Sequence, residues 1–221
     1  VSSDDEIPPI NLREWAVRAH AKAAGHPSAV EPDDAELDQL IASATSGVNE
    51  RRWHSAIPQR FHRAQMDDFA GQPFYADVME WSLHAYGRNL VLAGPTGVGK
   101  TRLACAACRQ ALYDGAEVRL FSIVKLLDLL RPGGPDGALD DLVDVDRLII
   151  DDLGMEKPSD WTGERISALI DARWSEERPT VVTTNLHREP LAAHLGAFAF
   201  SRLIGDGAIR LRLSGDDRRQ P

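Results

Sequence analysis

A chain of 221 residues with 43% hydrophobic and 27% charged side chains has room for one sizeable core and a small extra module. With 34 acidic against 25 basic residues, the formal charge of −9 excludes long-range attraction to nucleic acid as a property of the whole molecule. Any contact with DNA must then be local or arise when subunits assemble. No apolar run approaches a membrane span, and Ser2-Ser3-Asp4-Asp5-Glu6 is unlike a secretion signal, so the expected location is cytoplasmic, without a membrane partner.

In chain order, residues 1–60 differ in texture from the rest. Asn11 caps an expected helix from Leu12 to Ala24, stopped by Gly25 and Pro27. A second helix follows Asp33-Asp34, with Leu37, Leu40, Ile41 and Ala44 on one face, closed by Gly47. Gly47 to Arg60 reads as a polar connection. Two short helices bury little alone, so residues 1–50 form a small helical region that either docks on something else or acts as a mobile adaptor, with a linker to about 60. The acidic stretch Glu31 to Asp38 favours a protein partner over a phosphate backbone.

Residues 61–221 have the texture of an α/β domain. Phe74, Val78 and Trp81 mark one face of a helix ending near Gly87. Strands are expected at Asn89–Ala93, Glu117–Ser122, Arg147–Asp151, Thr180–Thr184 and Ala208–Leu213. Helical patterns lie between them at Thr101–Tyr113, Ile123–Leu130, Thr162–Glu177 and Glu189–Leu195, with another from about Ala197 to Leu203. Pro132-Gly133-Gly134-Pro135 with Gly137 reads as a surface loop. This alternation predicts a five-stranded, mainly parallel sheet with helices on both faces. Cys105 and Cys108 share one face of the helix after the first strand, among Leu103, Ala104 and Leu112, and read as small core residues rather than a redox or zinc pair.

The chemistry is concentrated at strand ends. Gly94-Pro95-Thr96-Gly97-Val98-Gly99-Lys100-Thr101 has the form G-x-x-x-x-G-K-[ST] between an apolar strand and a helix. Its glycines free the backbone to aim N–H groups at a polyphosphate, and the helix N-terminus adds positive potential. Lys100 suits the β/γ-phosphates of ATP, and the Thr101 hydroxyl suits Mg²⁺. Arg147-Leu-Ile-Ile-Asp151-Asp152 is an apolar strand ending in two carboxylates. Asp151 is placed to hold the Mg²⁺ water shell, and Asp152 to polarise the water attacking the γ-phosphate. Asn185, at the end of Val181-Val182-Thr183-Thr184, suits a γ-phosphate or water sensor because its amide both donates and accepts. Arg202 in Ser201-Arg202-Leu203 reads either as a surface residue or, in a ring or filament, as an arginine finger reaching a neighbour's nucleotide.

In this order the motifs resemble the DnaC/IstB-like branch of the AAA+ P-loop ATPases, the helicase-loader type. The resemblance covers about Arg51 to Arg218. It rests on Ala56-Ile-Pro-Gln-Arg-Phe61, the phosphate loop, Leu148-Ile-Ile-Asp-Asp-Leu-Gly154, Ile170-Asp-Ala-Arg-Trp174, Arg178-Pro-Thr-Val-Val-Thr-Thr-Asn-Leu186 and Ser201-Arg-Leu203. It implies ATP hydrolysis with Asp151 and Asp152 as the Walker B pair, Asn185 as sensor and Arg202 as a finger acting in trans. It also implies assembly into a homo-oligomer in the ATP state, a nucleotide-proximal Arg218, and single-stranded DNA near Lys125. The helicase-loader reading assigns residues 1–50 to capture of a replicative DNA helicase during replication initiation. Asp152 stands where most AAA+ proteins carry Glu, which implies slow turnover. The sequence after the fifth expected strand leaves no room for a full helical C-terminal lid. An IstB-like transposition helper ATPase and a P-loop small-molecule phosphotransferase are the alternative readings.

Overall fold

The computed structural model describes residues 34–205 and 207–215. The expected helix over residues 12–24 and the position of Arg218 lie outside them. Contacts divide the chain into two compact units, residues 1–52 and 53–221. The first described element, α1 (Asp34–Ala56), crosses this division.

Five strands form one sheet: β1 (Leu90–Ala93), β2 (Val118–Ser122), β3 (Arg147–Leu153), β4 (Thr180–Thr184) and β5 (Ile209–Arg212). Their order is β2-β3-β4-β1-β5, and every pairing is parallel. The helices joining them are α3 (Lys100–Tyr113), α4 (Ile123–Leu129), α5 (Ala138–Asp144), α6 (Asp160–Ser175) and α7 (Arg188–Ile204), with α2 (Tyr75–Leu83) preceding β1. Parallel strands need crossovers, and crossover helices cover both faces, so the central strands are apolar along their length. Every residue of β4 is buried.

The strand period of two sorts the core into two layers. Leu90, Leu92, Ile149 and Val181 face one side, with Leu103, Ala107 and Cys108 of α3, Trp81 of α2, and Trp53. Val91, Leu148, Ile150 and Val182 face the other, with Leu126 of α4, Ile166 and Leu169 of α6, and Leu191 and Leu195 of α7. Parallel pairing puts all five strand C-termini at one edge, where α/β proteins bind ligands.

Two local expectations are corrected. Gly47 does not end the second helix: α1 runs on to Ala56, and the segment read as a polar connection buries Trp53 and Ile57 completely or nearly so. One interior glycine costs a helix only about 1 kcal/mol, less than burying a tryptophan returns. Second, α2 stops at Leu83, because Tyr86 (φ 45°) and Gly87 (φ 75°) form a left-handed turn before β1. The loop over residues 132–137 lies where it was expected; α5, which follows it, was not among the expected helices, although its Leu139, Leu142 and Val143 recur at helical spacing, Leu142 being 3% exposed. The two expected helices around Gly196 are continuous in α7 except for a break at that residue (φ 74°, ψ 161°).

Candidate nucleotide-binding site

At the C-terminal end of β1 the chain turns back over the sheet edge before α3 begins. Gly94 has φ 149°, and a Cβ there would press into the carbonyl oxygen of Leu213, the residue after β5. Gly97 (φ 86°) and Gly99 (φ 101°) take left-handed conformations, with Gly99 as the N-cap of α3. Val98 points the other way and is buried in the core. The loop is therefore pinned by one side chain below while its backbone arches above.

Lys100 is buried. Its Nζ donates to Gly94 O (2.9 Å), Pro95 O (2.7 Å) and Asn185 Oδ1 (2.8 Å). The ammonium therefore bridges the phosphate loop and the end of β4. A second bridge joins α3, β3 and β4, because Thr101 Oγ1 and Thr183 Oγ1 donate to the same Asp151 oxygen, at 2.8 and 2.6 Å. Thr183 Oγ1 in turn accepts from the Asp152 N–H at 2.9 Å. Burial pushes the Asp151 carboxyl above its ordinary value, and the two hydroxyl donors pull it part of the way back.

Asp152 lies in a register irregularity of β3, at φ 59°. Its exposed side chain lines a cavity of about 440 Å³ together with Thr96, Gly97, Gly99, Lys100, Thr101 and Asn185. Four further residues line the same cavity without having been assigned to it from sequence: Arg60, Phe61, Arg102 and Met155. Arg60 lies over the Phe61 ring, 5.2 Å from its centroid, and Arg102 pairs with Asp68 at 2.7 Å. Arg60 and Phe61 belong to the Ile-Pro-Gln-Arg-Phe run, a motif that in sequence had no evident task. Thr183 was legible only as one of two adjacent threonines.

The structure thus brings Gly94–Thr101, Asp151, Asp152 and Asn185 together at one sheet edge. Arg202 and Lys125 are not among the residues lining the cavity. Arg202 lies flat against Trp174 (3.5 Å to the ring centroid) and near Phe198 (4.8 Å), with Nε 3.3 Å from Asp171. Lys125 is exposed in the first turn of α4, its N–H donating to the Ser122 cap at 3.4 Å.

The oxygen pair of Thr101 and Asp151 is a hard donor set that suits Mg²⁺, and its carboxylate is already desolvated. Among the described residues no group of three or more His, Cys, Asp or Glu side chains could hold a metal ion, and no helix is long and apolar enough to cross a membrane.

A five-stranded parallel sheet in this order, with a glycine-rich loop leading into a helix and an acidic strand end beside it, defines a P-loop nucleotide-binding protein of the AAA+ type. The chain belongs to the family of IstB-like ATP-binding proteins, whose model matches residues 74–207. It is 31% identical over 121 residues to the replicative helicase loader DnaC of Escherichia coli K12, a stretch covering 52% of this chain and 49% of that protein. It is 38% identical over 102 residues to an ATP-binding protein of insertion sequence IS1162 from Pseudomonas fluorescens, covering 44% of each. A crystal structure of the DnaC helicase loader superposes with a TM-score of 0.61 at 26% identity, over 71% of this chain and 99% of that one. The chain spans about half the length of the curated relatives it matches. The family and fold that the sequence motifs implied are those found.

Proposed function

We propose that this protein is an ATP-dependent helicase loader of the cytoplasm, which binds a replicative DNA helicase and helps place it on single-stranded DNA. The observation that carries the reading is the meeting of three elements at one sheet edge: Lys100, Thr101 and Asn185 line one cavity, Lys100 bonds Asn185 at 2.8 Å, and Thr101 bonds Asp151 at 2.8 Å. Such a preorganised set of donors and carboxylates is what phosphoryl transfer needs, because most of its catalysis is positioning and charge stabilisation.

In this reading the Gly94–Thr101 backbone and Lys100 hold the phosphates of ATP. Thr101 and Asp151 hold Mg²⁺, which supplies charge neutralisation to the phosphates when bound. Asp152 polarises the attacking water and Asn185 orients it. Arg202 serves the nucleotide of a neighbouring subunit in an ATP-state homo-oligomer, and Arg218 approaches the nucleotide from the end of the domain. The stack of Arg202 on Trp174 supports that role by fixing an always-charged guanidinium at the surface. Residues 1–50 capture the helicase, and the Lys125 regions of several subunits follow one DNA strand.

The test is a mixing experiment on ATP turnover. Asp152→Asn and Arg202→Ala each keep ATP binding and lose hydrolysis. Together they recover part of it, through interfaces that pair an intact finger with an intact carboxylate. No recovery on mixing, or unchanged turnover in Asp152→Asn, refutes the mechanism. A second reading, a transposition helper ATPase, is favoured by the 38% identity to the insertion-sequence protein. Capture of a transposase but not of a helicase by the full chain would decide for it.

A further inference from the structure

Beyond Asp152 the chain doubles back, and the turn is held both by cavity-lining groups and by groups behind them. The Met155 N–H donates to the Asp152 carbonyl at 3.1 Å, and Asn185 Nδ2 reaches the Met155 sulfur at 3.9 Å. Gly154 (φ 96°) packs so closely on Leu186 that a Cβ would stand 2.6 Å from Leu186 Cδ1. Glu156 fastens the far end. Its side chain is 3% exposed, Oε2 accepts the Gly154 N–H at 2.8 Å, and Oε1 lies 2.6 Å from His194 Nε2. A carboxylate this deep is kept only where both oxygens have partners. Asp152 itself sits at φ 59°, and a non-glycine residue stays in that region only where its surroundings impose it.

We propose that Glu156 and His194 are positioning residues for Asp152. They hold the turn from Asp152 to Glu156 in the one conformation that keeps the Asp152 carboxylate at the cavity. His194 lies on α7 just before the break at Gly196, and the part of the helix beyond the break carries Arg202. The pair thus fastens the acidic turn to the segment of α7 that does not carry the arginine, and the break lets the two segments take independent directions. The inference rests on the hydrolytic reading above. It assigns the pair a part in turnover and none in nucleotide capture, since the Gly94–Thr101 loop has its own supports in Val98, Thr184 and Leu213.

The test measures steady-state ATP turnover, calorimetric ATP affinity and thermal melting on the full chain. Glu156→Ala lowers kcat by at least about tenfold, as a displacement on the order of 1 Å of a catalytic group does, with affinity within about twofold of wild type. Glu156→Gln restores most of kcat, because its amide oxygen accepts from Gly154 while its NH₂ donates to the other imidazole tautomer. His194→Leu lowers kcat in the same direction and carries the test if Glu156→Ala does not fold. A wild-type kcat in both Glu156→Ala and His194→Leu overturns the proposal. So does a loss that Glu156→Gln does not restore, or an affinity that falls as far as kcat. A wild-type chain without turnover overturns the hydrolytic reading and this inference with it. An active wild type beside equally active variants overturns this inference alone.

Discussion

Arg173 is fully buried in α6 and makes five hydrogen bonds, so replacing it tests what fixes the edge of the sheet away from the nucleotide. Nη1 donates to the carbonyls of Leu142, Val143 and Val145 (2.8, 2.9 and 2.7 Å), Nη2 to Pro179 (2.7 Å) and Nε to Thr180 Oγ1 (3.0 Å). The side chain thereby closes the C-terminal end of α5 and ties it to the starts of β3 and β4. Removing one partner of a buried charged network typically costs about 3–5 kcal/mol, because the stranded carbonyls lose a donor and gain no water. Burial already pushes the guanidinium down to about 10, so part of the gain is offset, and the lower end applies. Arg173→Met, which nearly preserves volume, should therefore cost about 3 kcal/mol of unfolding free energy. For a domain of this size that lowers Tm by about 6–12 °C. Urea unfolding followed by tryptophan fluorescence measures it. Arg173→Lys should recover little, since one ammonium cannot span five acceptors in a plane. A loss under about 1 kcal/mol for Met, or full recovery by Lys, would refute the reasoning. Nucleotide affinity below the melting range should stay unchanged, because these bonds lie at the strand starts and the cavity at the strand ends.

Gly94→Ala should abolish ATP binding and cost about 1–3 kcal/mol of stability, because its Cβ meets the β5-side backbone, which cannot rotate away; wild-type affinity by calorimetry would contradict this. The Asp151 carboxyl binds its proton more tightly folded than unfolded, so stability falls as pH rises from the ordinary carboxylate range through the raised folded value. Asp151→Asn, which keeps an acceptor for both threonines, should therefore raise the melting temperature of the nucleotide-free chain at pH 7. That gain should shrink as pH falls through the raised folded value and be gone by about pH 4, where the carboxyl is protonated folded and unfolded alike; Mg²⁺-dependent ATP binding should fall in the variant, and an unchanged or lower melting point at pH 7 would count against the reasoning. Burial pushes the Cys108 thiol up to about 12 and Cys105 well above its usual range, so neither should react with iodoacetamide at pH 8 until denaturant is added, as mass spectrometry would report.

The strands were readable because β1, β3 and β4 are short apolar runs, bounded by the glycine-rich loop after β1 and by polar residues near the ends of β3 and β4, as a buried parallel sheet requires. Lys100, Thr101 and Asp151 were readable because the phosphate loop fixes residue types at fixed spacing. Other features depend on contacts distant in sequence. Trp53 looked like part of a polar connection because its neighbours are polar; its burial comes from a place in the core layer far along the chain, with its Nε1 donating to His62 O and the Arg109 guanidinium over its ring. Arg60 and Phe61 reach the cavity by a fold-back through two short turns, Gln59–Phe61 and Met66–Phe69, which leave no periodic signal. The bond between Glu156 and His194 joins residues on separate elements whose types, a lone acid and a lone histidine, mark nothing by themselves.

The close approach of the Leu213 carbonyl to Gly94 has a consequence for how the protein is made. Leu213 N–H donates to Ala93 O at 2.8 Å, and β5 flanks β1 along its whole length. The phosphate loop is therefore braced by a strand translated more than a hundred residues after it. While the ribosome is still extending the chain, β1 and the loop have emerged but lack their neighbour on that side. Synthesis runs at about 5–20 residues per second, so several seconds separate the loop's emergence from that of its brace. ATP cannot act as an early template for folding in that interval. The capacity to hold nucleotide should appear abruptly, once β5 has docked.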